Sequence, residues 1–197
     1  QSGQIALVGF ETYTRIMEEA VAELRGSHVT REVEPELNFD LPGYIPDDYV
    51  EDVGQRLSFY QRLSRAALGR QSALTTLATP LDGDLEEAVA LVIAELGDRY
   101  GQPPVEVSQL GEIMVVKGYA RRLGALSVDV AGQRLSLTLS KETRLRPEQV
   151  VELVAKKGSP FRLTPEMKLI RALTESQPEE KLREIKKVLQ ELCSHAS

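Results

Sequence analysis

The apolar side chains of this chain change their period partway along it. Leu85, Val89, Val92 and Leu96 recur at spacings of four, three and four, which puts them on one side of a helix. Leu135, Leu137 and Leu139 instead alternate with Ser136, Thr138 and Ser140, the pattern of a strand with one buried face. A chain that runs through helical stripes, then an alternating hairpin, then helical stripes again is expected to be α+β. Several helices packed on a small, mostly antiparallel sheet, preceded by an N-terminal helix, is the fold predicted.

Local signals place the elements. Phe10, Tyr13, Met17, Ala20 and Leu24 predict a helix over 9–25, ended by Gly26, with a polar linker over 26–33. Leu37, Phe39 and Leu41 alternate with Glu36, Asn38 and Asp40, and Pro35 favours an edge for that short strand. Residues 42–51 form a loop, and Leu57, Tyr60, Leu63 and Ala67 predict a helix from about Asp52 to Leu68. Residues 69–83 read as an irregular loop. Asp84 with Glu87 makes a capping box for the helix of the Leu85 stripe, which Gly101, Pro103 and Pro104 stop. A third helix is predicted over 104–122. A hairpin follows from Ala125–Val130 and Arg134–Leu139 around Ala131-Gly132-Gln133. Pro147 opens a helix that Gly158 ends, and Phe161 to Leu163 is a short strand. Residues 166–173 suit strand or helix. Ser176 with Glu179 makes a second capping box, opening a last helix with Leu182, Ile185, Leu189 and Leu192 on one stripe.

Charge is distributed unevenly. Residues 1–116 carry 8 basic and 20 acidic side chains, whereas residues 117–162 carry 10 basic and 4 acidic. The acidic half repels phosphates, while the basic stretch could meet nucleic acid, an acidic partner or only solvent. The single cysteine, Cys193, rules out an internal disulfide and suits a reducing, cytoplasmic compartment. No stretch reaches the ~18 apolar residues of a membrane helix. The chain opens on Gln1 without an initiator methionine, so a piece of a longer protein is expected.

The motifs that carry catalysis are missing. There is no G-x-x-x-x-G-K-[ST] phosphate loop, no G-x-G-x-x-G turn and no G-x-S-x-G elbow. His28 and His195 have no partner at metal spacing, so neither a metal site nor a histidine-assisted nucleophile is predicted. Asp47-Asp48 could hold a cation but reads better as a solvated turn beside Pro46, and Tyr44, Tyr49, Phe59 and Tyr60 read better as packing than as base-stacking groups. As an enzyme, the chain would have only Asp47, Asp48, Glu95 and Asp98 to work with, and these lack a base, a nucleophile or a metal framework. Glu95 and Asp98, three apart on one helix and off its apolar stripe, offer acceptor oxygens suited to a partner's arginines, though a plain solvated face, neutralised by Arg99, fits them too.

Two runs carry a family resemblance. LPGYIPDDYVEDVGQRLSFYQRLSRA, residues 41–66, and ELGDRYGQPP, residues 95–104, resemble the C-terminal domain of bacterial transcription-repair coupling factors. QSGQIALVGFETYTRIMEEAV, residues 1–21, looks like the segment that closes the translocase module of the same proteins. The downstream order of helix, basic end, hairpin, helix and terminal helix extends the resemblance over nearly all the chain. Residues 67–83 depart from it, being longer than the usual link between the two helices.

The resemblance implies a domain division: 1–25 as a helical hook segment of the translocase module, 26–33 as linker, and 34–197 as a C-terminal regulatory domain. It implies a parent that is an ATP-dependent DNA translocase acting on stalled RNA polymerase and double-stranded DNA, with ATP and magnesium held in a motor upstream and no cofactor here. It implies that this domain is not itself an enzyme. It packs on an N-terminal UvrB-like module and hides the surface that recruits UvrA, with Glu95 and Asp98, beside Arg99, at the interdomain contact. The alternative is a nucleic-acid-binding module, with Lys117, Arg121, Arg122, Arg134, Lys141, Arg144 and Arg146 as phosphate contacts.

Overall fold

The structure, a computed structural model, describes residues 34–39, 41–68 and 85–196. The predicted helix over 9–25, the linker over 26–33, the loop over 69–83 and the Asp84 cap lie outside them. Five helices and five strands occur among the described residues: β1 (Glu36–Asn38), α1 (Val53–Leu68), α2 (Leu85–Tyr100), α3 (Val105–Leu123), β2 (Ala125–Ala131), β3 (Arg134–Leu139), α4 (Pro147–Ala155), β4 (Phe161–Leu163), β5 (Lys168–Ala172) and α5 (Pro178–His195). They fall into two compact units, whose boundary lies inside α3 after Met114. No described helix is long and apolar enough to cross a membrane.

The first unit holds the loop from Pro42, α1, α2 and the start of α3. Asp52 starts α1, its carboxylate accepting the Gln55 N–H at 2.7 Å. The apolar stripe of α2 buries Leu85, Val89, Val92 and Leu96, and α1 supplies Phe59, Tyr60, Leu63 and Ala67 to the core. The loop before α1 is held down by the Ile45 N–H donating to the Tyr60 hydroxyl at 2.8 Å. It crosses α3 at Gly43, where a Cβ would stand 2.5 Å from Ile113 Cδ1 and 3.2 Å from the Leu110 Cα, so the missing side chain lets the loop lie close against the helix.

The second unit is built on a sheet in the order β1-β2-β3-β5-β4. The β1–β2 pair is parallel and the other three are antiparallel. The strand predicted near Leu37 takes the edge, as Pro35 suggested. One sheet face carries Val128, Leu135, Leu137, Leu139, Phe161 and Leu169 into the core. The α5 stripe of Leu182, Ile185, Leu189 and Leu192 is buried, with Val188 added to it. Leu123 and Gly124 turn the chain from α3 into β2. Gly124 has φ +75°, and a Cβ there would lie 2.9 Å from the Thr143 Cα.

Two expectations change. The ambiguous 166–173 segment is strand β5, because Leu169 and Arg171 pair across to Leu137 and Leu135. The Ser176/Glu179 capping box does not form. The α5 cap is Gln177, without a side-chain hydrogen bond, and Pro178 opens the helix. Proline at the first helical position brings a preset φ and one less N–H to satisfy. The Ser176 hydroxyl instead accepts from the Gln133 side-chain amide at 2.9 Å, tying the start of α5 to the β2–β3 turn.

Candidate protein-docking face

The acidic pair singled out in the sequence sits on α2, and the two carboxylates do different things. Glu95 turns toward α1. The Arg62 guanidinium donates to both its oxygens, one at 2.8 Å, and Arg99 lies 3.0 Å away on the other side, one helical turn along. The Glu95 side chain keeps 30% of its exposure. The Arg62 hydrogen bond, helped by the Arg62 and Arg99 charges, holds its carboxyl below the usual glutamate range. Asp98 is exposed and forms no ion pair among the described residues. The expectation that Glu95 and Asp98 together face outward as one anionic spot is therefore corrected. The two side chains stand about 60° apart around the helix, and the Arg62 side chain of α1 reaches Glu95.

The Arg62–Glu95–Arg99 triad rests on aromatic rings. Both arginines stack on Phe59, with guanidinium carbons 5.2 and 5.8 Å from the ring centroid. Phe59 meets Tyr100 edge-on at 6.1 Å, and Tyr100 meets Tyr49 at 6.0 Å. The Tyr49 hydroxyl donates to the Gly101 carbonyl at 2.8 Å. Tyr49, Phe59 and Arg62 belong to the run 41–66, and Glu95, Arg99, Tyr100 and Gly101 to the run 95–104. The two motifs are thus one structural device that locks α1 and the preceding loop onto the end of α2. The aromatic ladder packs, as predicted, rather than standing open.

The outward side of α2 is a stripe of Glu87, Leu91, Ala94 and Asp98, at spacings of four, three and four, opposite the buried stripe. Leu91 is 64% exposed at its centre. Sequence reading missed both Leu91 and Arg62. Leu91 carried a usable signal, an apolar residue on the polar side of the α2 helical pattern. Arg62 carried none, because its partner is 33 residues away.

The basic residues proposed as phosphate contacts are dispersed. Lys117 is largely buried and pairs with Glu34 at 2.9 Å. Arg122 stacks on Tyr119, with its guanidinium carbon 6.0 Å from the ring centroid, and Arg121 is half-buried. Arg134 starts β3 and Lys141 lies beyond its far end, a separation of about 17 Å or more at ~3.3 Å per residue. Lys141, Arg144 and Arg146 are exposed in the loop after β3, which is hydrogen-bonded to the end of α3 through Arg144 N–H and Leu123 O at 3.1 Å. That bond sets the loop carrying Lys141 and Arg144 beside the end of α3 that carries Arg121 and Arg122, whereas Lys117 is taken up by Glu34 and Arg134 lies at the other end of β3. Asp47 and Asp48 are exposed in a turn. Among the described residues, no group of three or more His, Cys, Asp or Glu is placed to hold a metal ion.

The sequence model of the TRCF domain matches residues 39–81 and 83–150. A transcription-repair-coupling factor of Myxococcus xanthus is 39% identical over 198 residues, covering 100% of this chain and 15% of that protein. The factor of Bacillus subtilis is 28% identical, covering 78% of this chain and 12% of its own length. The chain therefore spans only about a seventh of these curated relatives. A crystal structure of the C-terminal domain of transcription-repair coupling factor superposes with a TM-score of 0.58 at 18% identity, covering 82% of this chain and 94% of that one.

Proposed function

The chain belongs to the TRCF domain family of transcription-repair coupling factors, and on that premise we propose that it is the regulatory, non-catalytic cap of a DNA translocase. In this reading it packs on a UvrB-like module of the same polypeptide and masks the surface that recruits UvrA. ATP hydrolysis, DNA movement and contact with RNA polymerase then belong to the rest of that polypeptide.

One observation carries the reading. The described residues of the first unit bear ten carboxylates and four arginines. Three of those arginines are turned to acceptors of the same unit: Arg56 to the Val50 and Glu51 carbonyls, and Arg62 and Arg99 to Glu95. The surface left over is anionic and suits a basic partner. Exposed ion pairs contribute only ~0.2–1 kcal/mol each, so a cap held in this way can be released when a motor moves.

The test is a calorimetric titration of this chain into the separate UvrB-like module, at low and high salt. Binding that weakens as salt rises is expected. In the full-length protein Asp98→Ala should increase UvrA binding. No binding in trans, together with unchanged UvrA affinity, removes the masking role.

A further inference from the structure

We propose that the junction between the end of α3 and the loop after β3 is a sequence-independent contact for the phosphate backbone of double-stranded DNA, made by Arg122, Lys141, Arg144 and Arg146. The junction lies within the second unit, so this contact and docking by the first unit stand or fall separately.

Backbone hydrogen bonds bring the four cations to one place. The Leu123 carbonyl accepts from the Arg144 N–H at 3.1 Å and from the Thr143 hydroxyl at 2.7 Å, and the Gly124 carbonyl accepts from the Ser140 N–H at 3.0 Å. The loop is therefore pinned along the end of α3. The last turn of α5 joins them. The Cys193 thiol donates to the Tyr119 carbonyl at 3.4 Å, and the Gln149 side chain of α4 donates to the His195 carbonyl. Burial raises the Cys193 thiol pKa to about 11, and the Arg122 and Arg144 charges act against that rise, which sets both guanidiniums near one sulfur. Arg146 is the N-cap of α4, two residues beyond Arg144.

Residues 119–124 and 140–148 carry five cations and only two carboxylates, Glu142 and Glu148, in a chain of net charge −6. Among the described residues Arg122, Lys141, Arg144 and Arg146 enter no ion pair, whereas Arg62, Arg99, Lys117 and Arg171 each have a carboxylate. Like charges held together without partners repel, and an anion relieves the repulsion. The class of anion follows from what else these segments expose. Their large apolar side chains, Tyr119, Leu123 and Leu145, are buried. A protein partner would find no apolar anchor there, and unpaired bases would find no open ring to stack on. A duplex backbone needs only cations within reach of its phosphates, and such contacts position the duplex without reading its sequence.

The experiment follows the fluorescence anisotropy of a short labelled DNA duplex as the whole chain is added, at low and rising salt. Binding is expected at low salt, with log affinity falling against log salt at a slope of about −3 to −4 for four phosphates. A duplex of unrelated sequence should bind equally well. Lys141→Ala combined with Arg144→Ala should weaken binding about fivefold or more and reduce the slope by about two, with circular dichroism confirming that the variant is folded. Arg134→Ala, which removes an exposed cation at the other end of β3, should change affinity less than about twofold. Absence of salt-dependent binding by the unaltered chain overturns the proposal. An Arg134→Ala loss as large as that of the double variant also overturns it, because net charge and not the junction is then what the duplex senses. Displacement of the duplex by poly-glutamate at an equal concentration of charge overturns it too, and assigns the junction to an acidic protein.

Discussion

Replacing Arg62 with methionine tests whether the triad is what locks α1 to α2. The methionine keeps most of the apolar stem and removes the guanidinium. Two interactions disappear: the bidentate pair with Glu95 and the stacking on Phe59. The side chains of Arg62 and Glu95 are 38% and 30% exposed, so solvent screens the pair. At that exposure the pair contributes at the upper end of ~0.2–1 kcal/mol. The stacking adds about 0.5–1 kcal/mol. A loss of about 1.5–2 kcal/mol should lower the melting temperature by roughly 3–8 °C in a chain of this size. The pH dependence separates the two parts. Glu95 has a lowered carboxyl pKa in the folded chain, chiefly through its hydrogen bond from Arg62. Its stabilisation is therefore complete above the unfolded glutamate value of about 4.3, and is lost as pH falls through the lower folded value. The gap between the two proteins should be constant from pH 7 to about 5 and narrow below about 4, leaving the stacking part. Thermal melts followed by circular dichroism at several pH values give the answer. A gap of zero at pH 7, or one that does not narrow in acid, refutes the role assigned to the triad.

Two further outcomes follow from the second unit. Gly124→Ala should cost about 2 kcal/mol or more, read as a lower urea midpoint, because φ is +75° and the added methyl meets the Thr143 backbone. Cys193 has its thiol pKa raised to about 11, mainly by burial, and donates to the Tyr119 carbonyl. In the folded chain it should react with thiol reagents at pH 8 on the order of 100-fold more slowly than a free cysteine, and recover full reactivity in denaturant.

Periodicity and punctuation in the sequence determined the elements. The spacing of Leu85, Val89, Val92 and Leu96 sufficed for α2 and its buried side, and the Leu135–Leu139 alternation for β3 and its inward face. These signals are local, arising from the backbone's own repeat, so a neighbour 40 residues away is not needed to read them. The family runs were legible for the same reason: they are contiguous. Other features were decided only by tertiary structure. Ser176 abandons its own helix for Gln133, because a hydroxyl goes to whichever donor the fold brings within reach. Residues 168–172 became strand because β3 lay open to pair with them. Glu95 and Asp98 are indistinguishable in sequence, two carboxylates three apart, and their roles separated when α1 placed Arg62 against one of them. Which of two equivalent charges is satisfied internally depends on a long-range partner, and no local pattern encodes that.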